Sequence, residues 1–318
     1  MKVLVTGGAG FIGSNLVDRL LDHGATVTVY DNFSTGQPAF LDKARTRAAC
    51  HLVEADLLDR PSLTSAMRGQ ELVVHLAANA DVRHGLELPH RDLEQNTIAT
   101  HHLLEAMRAC GTRRIVFSST GSVYGEPAVF PTPEDCPLPI QTSLYGASKI
   151  AAEGLISAYS TGFGIQAIIL RFVSILGERY THGHVFDFYR KLRANPDDVE
   201  ILGDGNQRKS YLYVGDCLDA LLRAVECATA PVSIFNLGSD EYCTVNDSLG
   251  WICAALGVNP RRHFTGGERG WVGDSPFIFL DCTRIRALGW RPTLTIREAV
   301  LRTLEYLQAS PWVMEQRA

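Results

Sequence analysis

Thr6-Gly7-Gly8-Ala9-Gly10-Phe11-Ile12-Gly13-Ser14 decides how this chain is read. Four of its nine residues are glycine, five residues from the start. The run before it, Met1 to Val5, has the apolar character of a buried parallel strand. After it, Phe11, Ile12, Leu16, Val17, Leu20 and Leu21 recur at helical spacing until Gly24. The glycines therefore lie on a strand-to-helix turn. Gly8-x-Gly10-x-x-Gly13 matches the dinucleotide fingerprint, and Gly7-x-x-Gly10-x-x-Gly13 overlaps it. Without side chains the backbone can approach a pyrophosphate, and the helix start offers N–H groups to it. A second strand, 25–30, leads to Asp31, which is 18 residues past Gly13. A carboxylate at about that distance binds the adenosine ribose hydroxyls and repels a 2′-phosphate, so the cofactor expected is NAD.

The chain has 318 residues and a net charge of −5, with no basic run, which argues against nucleic acid as a partner. No apolar stretch is long enough to span a membrane, and the first residues read as a strand, not a signal peptide. The eight cysteines are scattered and form no CxxC pair, which fits reduced core residues in a cytoplasmic protein. His101-His102 and His182-x-His184 form no convincing metal set, so no metal is expected and these histidines are assigned to surface or loop roles.

Strands are expected at 2–6, 25–30, 50–54, 71–77, 113–119 and 165–171, and helices at 11–23, 61–68, 92–110 and 144–161. This alternation predicts an α/β fold: a Rossmann-type, doubly wound parallel sheet with right-handed crossovers. Past 171 the pattern loosens. A strand at 232–237 is expected to return to the sheet, and two short helical patterns follow, at 245–256 and 295–307. The expected domains are therefore 1–171 plus 217–238 for the cofactor, and 172–216 plus 239–318 as a smaller C-terminal lobe. In such sheets ligands bind beyond the carboxyl ends of the strands, so the cleft between the lobes is the expected site.

Tyr145-Gly-Ala-Ser-Lys149 puts a phenol and an ammonium four apart on one helix face. A free phenol, with a pKa of about 10, is a poor base at neutral pH. A neighbouring ammonium, aided by a positive nicotinamide ring, would favour the phenolate. The preceding strand ends in Ser118-Ser119-Thr120, at the sheet edge where catalytic groups collect. A hydroxyl there would share a substrate oxygen with Tyr145.

Taken together the chain resembles the extended short-chain dehydrogenase/reductases, in particular the NAD-dependent nucleotide-sugar epimerases and dehydratases. The resemblance is carried by TGGAGFIGS (6–14), DNFSTG (31–36), ADL (55–57), HLAA (75–78), the helix of Asn96, SSTGSVYG (118–125), YGASK (145–149), LRF (170–172), GDGNQRKSYLYVGD (203–216) and LGWRP (288–292). It implies that Tyr145 is the catalytic base, that Lys149 activates it and binds the nicotinamide ribose, and that Thr120 is the second hydroxyl. It further implies that Gly7, Gly10, Phe11, Ile12 and Gly13 hold the pyrophosphate. Asp31, Asn32, Ser34 and Gly36 would take the adenosine ribose and its phosphate, and Asp56 and Leu57 would flank adenine. Leu76, Ala77, Ala78 and Asn96 would line the middle of the cofactor channel.

The resemblance also bears on the reaction. Dehydratases of the family carry an Asp-Glu pair after the threonine; here Gly121 and Ser122 stand there. That absence favours 4-epimerisation of a UDP-sugar through a 4-keto intermediate. The candidate pairs are UDP-glucose/UDP-galactose and UDP-glucuronate/UDP-galacturonate. Alternatives are a nucleotide-sugar 4,6-dehydratase or reductase and, from another class, a non-catalytic NAD-binding regulator. Ser174 stands where the family has an asparagine, Lys209 where it has an arginine with Arg208 beside it, and Trp271 where it has a second arginine, leaving Arg269 two residues earlier. Ser174, Arg208 or Lys209, Arg269 and Asp274 are the substrate candidates. Arg83 is a further candidate should the sugar carry a carboxylate. The resemblance implies a homodimer built on the helices around 92–110 and 144–161.

Overall fold

The computed structural model describes residues 1–80, 87–138, 140–271 and 273–315. Arg83, the uronate candidate, lies outside the described residues. The first of two compact units comprises Met1–Gly125, Leu138–Arg171 and Leu221–Phe235. It is organised by a seven-stranded sheet. Its strands are β1 (Lys2–Thr6), β2 (Thr26–Asp31), β3 (Cys50–Glu54), β4 (Leu72–His75), β5 (Arg114–Thr120), β6 (Gln166–Phe172) and Val232–Leu237. Their order across the sheet is Val232–Leu237, β6, β5, β4, β1, β2, β3. β1 pairs in parallel with β2 on one side and β4 on the other, so chain order reverses at its carboxyl end. That reversal is the place where such sheets bind ligands. The Rossmann-type fold expected from the strand–helix alternation is the fold observed.

The inner strands show why alternation is missing from their sequences. Val3, Leu4, Val5, Val27, Val29, Val73, Val74, Ile115 and Val116 are all buried, because helices cover both faces. β3 is an edge strand, and its residues are exposed or half-buried. Helix α1 (Phe11–Asp22) buries Leu16, Val17, Leu20 and Leu21.

The helix expected over 92–110 is not uniform. A turn at Pro89–Asp92 leads into a π-helical segment, Leu93–Ile98, and only then into the α-helix Ala99–Cys110. Widened turns of this kind cluster at functional positions. Here the segment carries Asn96, which is 1% exposed.

The second unit comprises Glu126–Pro137, Phe172–Ala220 and Asn236–Ala318. Three small sheets organise it: Ser174–Leu176 with Tyr211–Tyr213, Asp198–Ile201 with Arg261–Phe264, and Arg208–Lys209 between Cys243–Thr244 and Phe277–Ile278. The helices Val245–Leu256 and Ile296–Ala309 match the two patterns read from the sequence, and both open with capping boxes, at Thr244/Asp247 and Thr295/Glu298. Two longer helices lie outside the expected set. His184–Ala194 buries Val185, Phe188 and Leu192, and Val214–Cys227 buries Cys217, Leu218, Leu221 and Ala224. Their helical spacing is present in the sequence, among Gly, Asp and Asn residues that favour loops. His184, assigned to a surface or loop role, is half-buried at a helix start: its ring packs on Tyr211 and its Nε2 lies 2.8 Å from Ser248 Oγ.

Candidate functional site

The glycines of the first turn serve separate steric ends. Gly7 has φ +67, and a Cβ there would sit 2.7 Å from the Ala77 nitrogen, so the turn could not close on the end of β4. A Cβ at Gly13 would meet the Gly7 carbonyl at 2.1 Å, so the first turn of α1 could not pack on the loop. Gly10 is the N-cap of α1, and no side chain caps that helix start. An uncapped helix N-terminus next to a glycine loop suits a pyrophosphate.

Asp31 ends β2 and is 8% exposed. Its Oδ2 accepts from the Ala9 N–H and its Oδ1 from the Phe33 N–H, both at 2.8 Å. Burial raises its pKa against the pull of these two donors. Gly36 closes over the same carboxylate; a Cβ there would lie 2.8 Å from Oδ1. Asn32 Nδ2 donates to Asp56 Oδ2 at 2.7 Å, and Ser34 N–H donates to Asn32 Oδ1 at 3.0 Å. The loops after β2 and β3 are thus joined at the positions expected to hold adenosine, with Leu57 buried behind them.

At the end of β4, His75 is fully inside the protein. Its Nδ1 lies 2.7 Å from Thr6 Oγ1 and its Nε2 3.0 Å from Thr100 Oγ1. Thr6 Oγ1 also accepts from the Ala77 N–H, at 3.3 Å. Burial, with Lys149 nearby, holds the His75 pKa down at about 3, so the ring is neutral. Leu76, Ala77 and Ala78 are half-buried beside the glycine turn. Asn96 clamps the next residues, accepting from the Asn79 N–H at 2.8 Å and donating to the Asn79 carbonyl at 3.1 Å and Ser148 Oγ at 2.9 Å.

Ser148 sits between the two residues of the YxxxK pair, on the helix Leu144–Phe163. Ser143 caps that helix, accepting from the Gly146 N–H. The phenol of Tyr145 is hydrogen-bonded to Thr120. Thr120 Oγ1 in turn accepts from the Ser122 N–H at 3.1 Å and donates to Ser122 Oγ at 3.2 Å. Lys149 is 2% exposed. Its Nζ donates to the Ser118 carbonyl at 2.8 Å and lies 4.7 Å from the centre of the Phe117 ring and 5.9 Å from that of Tyr145.

Burial acts on both groups of the pair. Desolvation pushes the Tyr145 phenol up to about 12, with Thr120 pulling it down and Asp92 adding to the rise. Desolvation also brings Lys149 down to about 7, opposed by Glu153 and Asp92. Burial penalises both charged forms, so any help from the ammonium to the phenolate works against desolvation.

Two carboxylates that the sequence reading did not single out, Asp92 and Glu153, stand here. Asp92 Oδ1 accepts from Asn79 Nδ2 at 2.9 Å. Glu153 forms a buried pair with Arg171, and Ser119 donates to Glu153 Oε1. Glu153 lies four residues past Lys149, so the same helical spacing that selected Lys149 points to it.

In the second unit, neighbours on one short strand face opposite ways. Lys209 Nζ lies 2.7 Å from Asp274 Oδ1 and also donates to the Ser275 carbonyl. Burial lowers the Lys209 pKa and Asp274 opposes that. Arg208 instead lies 4.0 Å from the centre of the Phe277 ring, with Tyr242 beside it. Arg269 donates to the Asp274 carbonyl at 3.0 Å and pairs with Glu126 at 2.7 Å. Asp274 is 4% exposed, and its Oδ2 accepts from the Gly270 N–H at 3.1 Å. Ser174 is exposed and pairs in register with Tyr211. The structure thus brings Lys209, Arg269 and Asp274 together and leaves Arg208 and Ser174 apart from them.

The sequence profile of the NAD dependent epimerase/dehydratase family matches residues 3–238. The chain belongs to that family. It is 33% identical to a UDP-glucose 4-epimerase of Mycolicibacterium smegmatis over 315 residues, covering 97% of this chain and 99% of that protein. Among solved structures it resembles a UDP-galactose 4-epimerase with 38% identity and a TM-score of 0.88, over 98% of this chain and 100% of that one. It also resembles the UDP-glucuronic acid 4-epimerase of Bacillus cereus, solved with UDP-glucuronic acid and NAD, with 27% identity and a TM-score of 0.89, over 97% of this chain and 99% of that one.

The family's cofactor is NAD, and the residues present suit it. The glycine turn leaves room beside an uncapped helix start, a carboxylate ends β2, and the phenol–lysine pair stands at the end of β5. Among the described residues, no helix is long and apolar enough to cross a membrane.

Proposed function

We propose that this family member interconverts the C4 epimers of a UDP-hexose, either UDP-glucose and UDP-galactose or the corresponding uronates. The observation that carries the reading is the end of β5. Thr120 is bonded to Tyr145, and the next two residues are Gly121 and Ser122, with Ser122 itself tied to Thr120. A dehydratase must take a proton from C5 and expel the C6 hydroxyl, which needs a second acid–base pair. Neither Gly121 nor Ser122 can supply it. The carboxylate that influences Tyr145, Asp92, is engaged by Asn79.

The roles follow from the chemistry. NAD, when bound, supplies the acceptor for the C4 hydride and its positive ring. Tyr145 takes the C4 hydroxyl proton and returns it to the epimer. Thr120 orients that hydroxyl by hydrogen bonding. Lys149 contributes positive charge beside Tyr145 and is proposed to bind the nicotinamide ribose. Gly7, Gly10, Phe11, Ile12 and Gly13 hold the pyrophosphate, and Asp31, Asn32, Ser34, Gly36, Asp56 and Leu57 the adenosine. Lys209 and Arg269 are proposed to hold the sugar nucleotide's diphosphate, and Asp274 to set the position of Lys209.

Isotope labelling tests the reading. UDP-hexose carrying deuterium at C4 should give an epimer that keeps the label at C4, with no net consumption of NAD or NADH. Washout to solvent, a 4-keto-6-deoxy product or release of carbon dioxide would defeat it and favour a dehydratase or decarboxylase.

A further inference from the structure

Tyr145, Lys149 and Glu153 are spaced four apart on the helix Leu144–Phe163 and share one face. The last three residues of β5 each engage one of them. The Ser118 carbonyl accepts from Lys149, Ser119 Oγ donates to Glu153 Oε1, and Thr120 is bonded to Tyr145. Behind Glu153 stands Arg171 of β6. Its Nε and Nη2 reach Oε1 and Oε2 at 3.1 and 2.7 Å, and its Nη1 donates to the Tyr124 hydroxyl at 2.8 Å. Lys149, Glu153, Arg171 and Ser119 are 2%, 6%, 3% and 3% exposed.

A buried ammonium without counter-charge tends to lose its proton. Charged and titratable groups face Lys149 from several elements. Tyr145 and Glu153 come from its own helix, Asp92 from the turn before the π-segment, and His75 from β4. Arg171 stands beyond Glu153. The carboxylates among them are Glu153 and Asp92, and Glu153 has the larger influence. The Arg171 guanidinium cannot give up its proton, and its bidentate contact fixes the Glu153 carboxylate in place.

We propose that Glu153, clamped by Arg171 and Ser119, is the positioning residue of the site: it holds the Lys149 side chain charged at the end of β5, where that charge favours the Tyr145 phenolate. The inference rests on the reading of Tyr145 as the base. It assigns the Glu153–Arg171 pair a role beyond folding, one that a buried ion pair need not have.

The test is Glu153→Gln, which removes the charge and nearly keeps the shape. The chain has five lysines, Lys2, Lys43, Lys149, Lys191 and Lys209, so protein labelled with 13C at lysine Cε gives a simple spectrum. Lys149→Met assigns the signal. In Glu153→Gln the Lys149 titration midpoint should fall by about one pH unit or more. The alkaline fall of kcat/KM in the NAD-loaded protein should move down by a similar interval. Ser119→Ala, which leaves every charge in place, should shift both in the same direction by less. An unchanged Lys149 midpoint in folded Glu153→Gln would overturn the inference, even if Tyr145→Phe is inactive. An active Tyr145→Phe would instead overturn the reading of the base. Should Glu153→Gln not fold, Ser119→Ala decides, and no shift there overturns the inference.

Discussion

Lys209 and Asp274 form a largely buried ion pair, with Nζ 2.7 Å from Oδ1, while Arg208, one residue earlier, turns away to stack on Phe277. The two cations are therefore not equivalent. Lys209→Ala should raise the KM for the UDP-sugar at least about tenfold, the scale of losing one charge-assisted contact. Arg208→Ala should change KM less than about twofold. Steady-state kinetics on both variants check this, and the reverse ranking would move the diphosphate contact to Arg208.

Tyr145→Phe should keep the fold and NAD binding and lose at least about a hundredfold in kcat, the scale of general acid–base catalysis. Circular dichroism and cofactor titration establish the first part, and a coupled epimerase assay the second. Near wild-type turnover would remove Tyr145 from the mechanism. The raised pKa of the buried phenol adds a spectroscopic expectation. Binding of oxidised NAD should lower the pH at which the phenolate band appears, relative to reduced NADH, because only the oxidised ring is positive.

Asp31 should make NAD bind far more tightly than NADP, since its carboxylate would meet the 2′-phosphate. It also accepts from the Ala9 and Phe33 N–H groups, so Asp31→Ala loses more than selectivity. Leaving those donors unpaired should cost about 1–3 kcal/mol of stability. Chemical melts of the cofactor-stripped protein measure the cost. Equal affinity of the native protein for both cofactors would place Asp31 away from the ribose.

His75 sets an acid limit on stability. Its folded pKa, depressed to about 3, lies below the ordinary value near 6.5. Between those values the unfolded chain holds a proton that the folded chain does not, so stability falls as pH falls through this window and the loss is complete near the folded pKa. The slope from this ring alone should approach about 1.4 kcal/mol per pH unit. Denaturant midpoints at pH 6, 5.5 and 5, compared with those of His75→Gln, isolate it. The variant should show the shallower slope whatever its absolute stability.

We propose a homodimer, though on narrower grounds than the sequence offers. Leu103, Leu104, Met107 and Ile156 of the Ala99–Cys110 and Leu144–Phe163 helices are buried in the subunit's own core. Leu93 remains 54% exposed, and Leu155 and Tyr159 are half-buried. A pairing through the Ala99–Cys110 and Leu144–Phe163 helices would use that remainder. Light scattering should give twice the mass of the 34.9 kDa chain at micromolar concentration, and Leu155→Glu should reduce it. A monomeric native protein would contradict the proposal.

The sequence by itself determined the features that depend on near neighbours. The glycine turn, the acid that ends β2 and the Tyr145–Lys149 spacing follow from steric and helical rules acting over a few residues, and the strand–helix alternation carried the sheet. Helices His184–Ala194 and Val214–Cys227 were equally local in cause, and went unread because polar turn residues surround them. Only the tertiary structure decided which polar groups meet at long range. Glu153 finds Arg171 18 residues away and Ser119 34 away, and Lys209 finds Asp274 65 away. Burial acts on the charged groups in the same manner. Whether Lys149 keeps its proton depends on how much water the fold removes and which carboxylates it brings close, and neither is written in the spacing of a motif.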